Sequence, residues 1–258
     1  MLHDSAISDS AIPDTETRHD LSTRTDQSMP PTRVAGIVIA AAAVVSTIFV
    51  ALDRGGGGHT PLEIMQGIAG LKDLKELVHA VAIASVCGMG FGYSTLARRL
   101  GLHRPAVLAG LTLYLFGCVA MIGATITDGF VIPHVAVDSI TASPERLAFA
   151  FNLVHYLYIV LNDLAKLGWV LQAVGTLAWS VALLHNRGFK RAIGVVGLLS
   201  SGLVLALIFA SPTSMTMTSL LNVLFAQLTW NLAAAALLVR DPDRATQDAS
   251  LERHALAS

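Results

Sequence analysis

The sequence predicts an all-α, polytopic membrane protein with six transmembrane helices, and three observations carry that reading. The 258 residues are 53% hydrophobic and only 14% charged, whereas an ordinary soluble domain is about 25% charged. The apolar residues gather in runs of about 20, the length at which a helix crosses the hydrocarbon layer of a bilayer. Lysine and arginine collect in alternate loops, the asymmetry that orients membrane helices. Mean hydropathy is +0.62. The net charge of −1 argues against nucleic acid as a partner, since phosphate neutralisation needs a basic stripe. The lipid bilayer is the partner the composition implies.

Residues 1–33 are rich in Asp, Ser and Thr without apolar periodicity and read as a disordered cytoplasmic tail. A secretory leader is not expected, because the stretch is long and acidic and the apolar run behind it lacks a clear cleavage site. Met29 is an alternative start. The membrane domain covers 34–239, and 240–258 form a second polar tail.

The first span is Val34–Leu52, followed by Asp53, Arg54 and a flexible Gly55–Gly58 linker. Thr60-Pro61-Leu62-Glu63 is a capping box with proline at the first helical position. The second span runs from about Lys72 to Leu96 and is stopped by Arg98 and Arg99. A short basic turn, Gly101 to Pro105, returns the chain into span three, Ala106–Thr127. An outer segment, Asp128–Ser143, leads to Ser143-Pro144-Glu145, another helix start. Pro144–Leu184 is too long for one crossing and long enough for two. A single crossing, at about Leu164–Leu184, keeps Arg187, Lys190 and Arg191 on the basic side. Glu145–Asp163 is then an outer amphipathic helix, lying outside or in the interface, and the same helix can continue inward into the span. Spans five and six are Ala192–Ala210 and Leu220–Val239, joined by a loop at 211–214.

With this threading, twelve of the seventeen Lys and Arg fall inside and five outside, the five being Arg54, Lys72, Lys75, Arg146 and Lys166. The expected orientation is N-in, C-in. Two hairpins share a pattern. Gly101-x-x-Arg104 with Gly110 beyond it resembles Gly188-x-x-Arg191 with Gly197 beyond it, which is either a parallel internal repeat or a common feature of tight basic membrane turns. Glycines recur in spans two to five, as close helix packing in lipid requires. Trp169 and Trp179 suit interfacial positions and Trp230 lies inside span six. Cys87 and Cys118 sit within apolar runs and read as small buried hydrophobes without a structural disulfide.

Ionisable groups inside a span are expensive and are the first place to look for function. His79 lies about two turns into span two, with Glu76 three residues earlier on the same face, placed to orient its imidazole. Asp128 closes span three, although Asp-Gly with a proline soon after is also an ordinary turn signal. His134 comes directly after Pro133 and is equally well read as a loop residue facing water. On the outer helix Asn152, His155, Asn162 and Lys166 share one face, which meets either water or a cavity. The binding-pocket candidates are therefore His79, Glu76, Asp128, His134, Asn152, His155 and Asn162. His79, Asp128, His134 and His155 have the ligand types of a zinc or iron site, without the tight His-x-x-x-His spacing of a specific one. A haem would need histidines at matched depths on facing spans, and only His79 is so placed.

Asp128-Gly129-Phe130-Val131-Ile132-Pro133 and Trp179-Ser180-Val181-Ala182-Leu183-Leu184 resemble the span ends of uncharacterised bacterial six-span membrane families. The resemblance covers about 34–239 and implies fold and location in a bacterial-type inner membrane, with no activity attached. Three functions stay open. The first is small-molecule binding or transport through an outward-facing His/Asp pocket. The second is a metal-dependent membrane enzyme. The third is a structural or stress-related membrane protein without a catalytic site.

Overall fold

The computed structural model describes residues 29–52, 57–210 and 217–240. The expected tails up to residue 28 and beyond 240, the linker residues 53–56 and the 211–216 loop lie outside these. The described residues form α1 (Pro31–Leu52), α2 (Pro61–Gly70), α3 (Lys72–Leu100), α4 (Pro105–Ile126), a π-helix (Thr127–Val131), α5 (Ile132–Ser139), α6 (Pro144–Leu184), α7 (Phe189–Ala210) and α8 (Met217–Arg240). No strand occurs among the described residues. Six helical stretches are long and apolar enough to cross a membrane.

The six long helices close a ring in chain order. α1 packs on α3, α3 on α4, α4 on α6, α6 on α7, α7 on α8, and α8 returns to α1. The tightest seam is α4 against α6, and its cause is reciprocal. A Cβ on Gly110 would stand 3.0 Å from the Gly175 carbonyl, and one on Gly175 would stand 2.6 Å from the Gly110 carbonyl. Gly117 and Gly168 repeat the pairing two turns away, at 2.8 and 3.0 Å. Without side chains between them the two backbones touch, which replaces the hydrophobic drive that lipid does not supply.

Both basic turns rest on glycine at positive φ, Gly101 at 95° and Gly188 at 63°. A side chain is disfavoured there, so each hairpin reverses on the residue best able to do so. At this basic end Arg99 donates to the Leu237 carbonyl at 3.2 Å, and Arg240 lies over the Phe189 ring.

Span three and Trp179 depart from expectation, and α6 takes the continuous form that the sequence allowed. Span three does not stop at Thr127. The helix continues through Asp128-Gly129 as a π-turn and on into α5, and Ile132 N–H donates to the Thr127 carbonyl five residues back. Pro133 has no N–H, and its ring would strike the carbonyl four residues earlier in a regular α-helix. The wider π-turn absorbs that conflict, so a local turn signal becomes a bulge. The outer helix continues into span four, so α6 is one helix of 41 residues, roughly 60 Å at 1.5 Å per residue and about twice the hydrocarbon thickness. Its first half packs with α2 and α5 around a second small core of Met65, Ile68, Ile132, Ala136, Ala150 and Val154. At the basic end, Trp179 is not interfacial. It is fully buried, its indole N–H donates to the Val107 carbonyl at 3.2 Å, and it stacks on Tyr93. Cys87 is exposed and only Cys118 is buried.

The α2 capping box forms as expected. Glu63 N–H donates to Thr60 Oγ1 at 3.2 Å, and the Glu63 carboxylate accepts from the backbone N–H groups of His59 and Thr60. Those two N–H groups hold the Glu63 carboxyl below its usual range. A depressed carboxyl stabilises the fold above its ordinary pKa, and the contribution is lost as pH falls through the folded value. Thr60→Ala is expected to cost about 1 kcal/mol, read as earlier proteolysis or faster hydrogen exchange confined to α2.

Candidate functional site

The start of α3 and the π-turn face each other, and between them lie three ionisable groups in mutual contact. Lys75 Nζ sits 3.0 Å from Asp128 Oδ1. His79 Nε2 sits 3.2 Å from Asp128 Oδ2. Lys75 is 3% exposed and His79 7%. The spacing of Lys75 and His79, one helical turn, places both on the face of α3 that meets Asp128.

Gly129 makes the approach possible. A Cβ at that position would fall on His79 Cβ and Cγ, so only glycine lets the π-turn lie against the imidazole. Asp128 is the second residue of that turn, directly before Gly129.

The imidazole's partners constrain its protons. Nδ1 lies 2.7 Å from the Lys75 carbonyl oxygen. A carbonyl only accepts, so Nδ1 carries a hydrogen. Nε2 faces a carboxylate oxygen, which accepts when ionised. A proton must therefore lie between Nε2 and Oδ2, on the imidazole or on the carboxyl, for that contact to be favourable. Imidazole, carboxyl and the Lys75 amino group thus meet in one hydrogen-bonded contact.

The candidates named from sequence divide sharply. His79 and Asp128 meet. Glu76 does not orient the His79 imidazole as expected: that role falls to the Lys75 carbonyl and Asp128. Glu76 instead pairs with Lys72 at 3.3 Å, both about 30% exposed, and lies 3.7 Å from His134. Such a half-exposed pair contributes little. His134 is exposed, with Nδ1 donating to the Phe130 carbonyl at 2.7 Å. Asn152, His155 and Asn162 lie exposed on α6, and Asn162 donates to the Tyr158 carbonyl. The inward stripe of that half of α6 is apolar, with Ala150 and Val154 buried, so these three do not line a pocket with His79.

The metal set of His79, Asp128, His134 and His155 is not assembled. Among the described residues no group of three or more His, Cys, Asp or Glu is placed to hold an ion. The Lys75 ammonium occupies one oxygen of Asp128, and a divalent cation there would face a positive charge at close range. Lys75 itself is the residue that sequence reasoning missed. It counted as a flanking charge, yet its spacing to His79 was the available signal.

Six apolar helices closed in a ring, with a buried charged contact at one end, define a multi-pass helical membrane protein. No protein-family model, curated protein or solved structure matches the chain.

Proposed function

We propose that this chain is a multi-pass protein of a bacterial-type inner membrane, with both ends in the cytoplasm. It binds or transports a small molecule, and Lys75, His79 and Asp128 form its proton-linked element. The orientation rests on the twelve-to-five distribution of Lys and Arg. The observation that carries the function is the ammonium, imidazole and carboxylate held in contact at a π-turn. Ionisable residues within spans are costly and tend to mark proton and substrate pathways, and π-turns recur at functional sites.

The charged groups around His79 are Lys75 and Glu76 on its own helix and Asp128 and His134 on the facing segment. In lipid nanodiscs, tryptophan emission of the wild type should show a one-proton transition as pH is varied. His79→Gln should abolish the transition and His134→Gln should leave it intact. A transition that survives in His79→Gln, or is absent from the wild type, removes the proton-linked role. For orientation, a cysteine at Gly57 in a cysteine-free background should react with an impermeant maleimide in intact cells. One at Arg187 should react only after lysis. Reaction of both from the same side would overturn the threading.

A further inference from the structure

The interior of the ring is divided. Toward the basic end it is filled by Tyr93, Tyr114, Trp179 and Trp230, with Tyr93 stacked on Trp179 at 5.2 Å and on Trp230 at 6.4 Å. Above this aromatic floor lies a cavity of about 140 Å³ bounded by α1, α3, α4, α6 and α8. Its upper rim, at Ala82 and Thr125, is one helical turn from His79 and Asp128. Neither of those residues nor Lys75 lines it.

The walls are mainly apolar, with three buried donors among them whose acceptors are poor. Gln172 Nε2 points to Cys118 Sγ at 3.7 Å. Asn231 Nδ2 points to Met89 Sδ at 3.8 Å. The Tyr114 hydroxyl points to that same Met89 sulfur at 3.9 Å. Gln172 is 9% exposed, Asn231 5% and Tyr114 1%. Sulfur is a weak acceptor, and a buried N–H or O–H without a good partner is costly, the more so where lipid replaces water. Two amides and a phenol therefore offer hydrogens to one largely apolar space, and the oxygens that also line it, on Ser46, Thr47, Thr125 and Gln227, do not accept them. The Asn231 carbonyl is already used, accepting from the Tyr93 hydroxyl at 2.5 Å.

We infer that this cavity is a binding site for a small, uncharged, largely apolar molecule bearing a carbonyl-type oxygen, which the hydrogens of Tyr114, Gln172 and Asn231 would receive. The volume supports a one-ring molecule, since an apolar protein cavity of about 150 Å³ takes up benzene. The aromatic floor offers a stacking surface. The walls carry no charge, which rules against an ionic ligand. This inference stands on the cavity and its donors and is independent of the proton-linked role proposed for Lys75, His79 and Asp128.

The test uses a matched pair of probes, acetophenone and ethylbenzene, which differ chiefly in the ketone oxygen. Dissociation constants are taken from the rise in unfolding midpoint with probe concentration for the full chain in detergent. Acetophenone should bind the wild type about five-fold or more tighter than ethylbenzene, the worth of one net hydrogen bond. Tyr114→Phe and Gln172→Leu should each remove most of that preference and leave ethylbenzene binding in place. Ala82→Leu, which fills the rim, should weaken both. Tyr114→Phe removes a single hydroxyl and decides the matter if Gln172→Leu does not fold. Equal affinity for the two probes in the wild type means a dry or water-filled void and overturns the inference. So does an unchanged acetophenone preference in Tyr114→Phe, or wild-type binding in Ala82→Leu.

Discussion

Asp128→Leu should lower the stability of the folded protein by about 3–5 kcal/mol, the usual cost of removing one member of a buried ion pair. The Lys75 side chain is 4% exposed and the Asp128 side chain 16%, so neither charge recovers much hydration when its partner goes. Lys75→Met should be costly for the same reason, since Asp128 would keep only the imidazole. The double variant Lys75→Met/Asp128→Leu should cost less than either single change. Removing both charges removes the desolvation penalty along with the attraction, and buried pairs replaced by apolar residues of similar size are often neutral. Unfolding of all four proteins in one detergent gives the coupling energy directly. Strictly additive costs would mean that Lys75 and Asp128 do not act on each other. A stable double variant that has lost the pH transition of tryptophan emission would show that the fold can do without these charges while the proton-linked behaviour cannot.

Much of the architecture was legible because it depends on local composition. A run of about 20 apolar residues has few alternatives to a spanning helix, and Thr60 with Glu63 marks a helix start by chemistry confined to four residues. Glycine at 110, 117, 168 and 175 signalled close packing, although not which helices would meet. The failures lie where a distant element decides. Asp128-Gly129 with Pro133 reads as a turn within its own window. It is a π-turn because α3 lies against it and α5 must continue the helix to complete the core with α2 and α6. Trp179 read as interfacial because it lies close to the end of α6 at Leu184, and it is buried because Gly110 on α4 opens the space that the indole enters. Lys75 read as a flanking cation because its local sequence says nothing of burial. The amide and phenol donors of the central cavity come from three helices and have no signature in any one of them.

Gly129→Ala should destabilise the protein by about 1–3 kcal/mol, the range for forcing extra atoms into a packed interior, and Gly129→Val should cost more. The new methyl would collide with Cβ and Cγ of His79. Cβ is fixed by the α3 backbone, so no rotamer change clears it, and α3 and the π-turn must separate. Gly123→Ala is the control on the same helix. Its methyl would meet only the end of Leu164, at 3.5 Å, an ordinary contact with a flexible side chain. There the higher helix propensity of alanine, up to about 1 kcal/mol over glycine, should leave stability unchanged or improved. Thermal unfolding of both variants in the same detergent separates the two cases. Similar midpoints would mean that the π-turn does not press on His79, and the mutual contact of Lys75, His79 and Asp128 would lose its structural basis. A lowered midpoint in Gly129→Ala together with a shifted pH transition would tie the spacing of the two segments to the proton they share. The bulge would then be the element that sets the distance from Nε2 to Oδ2, with Gly129 the residue that permits it.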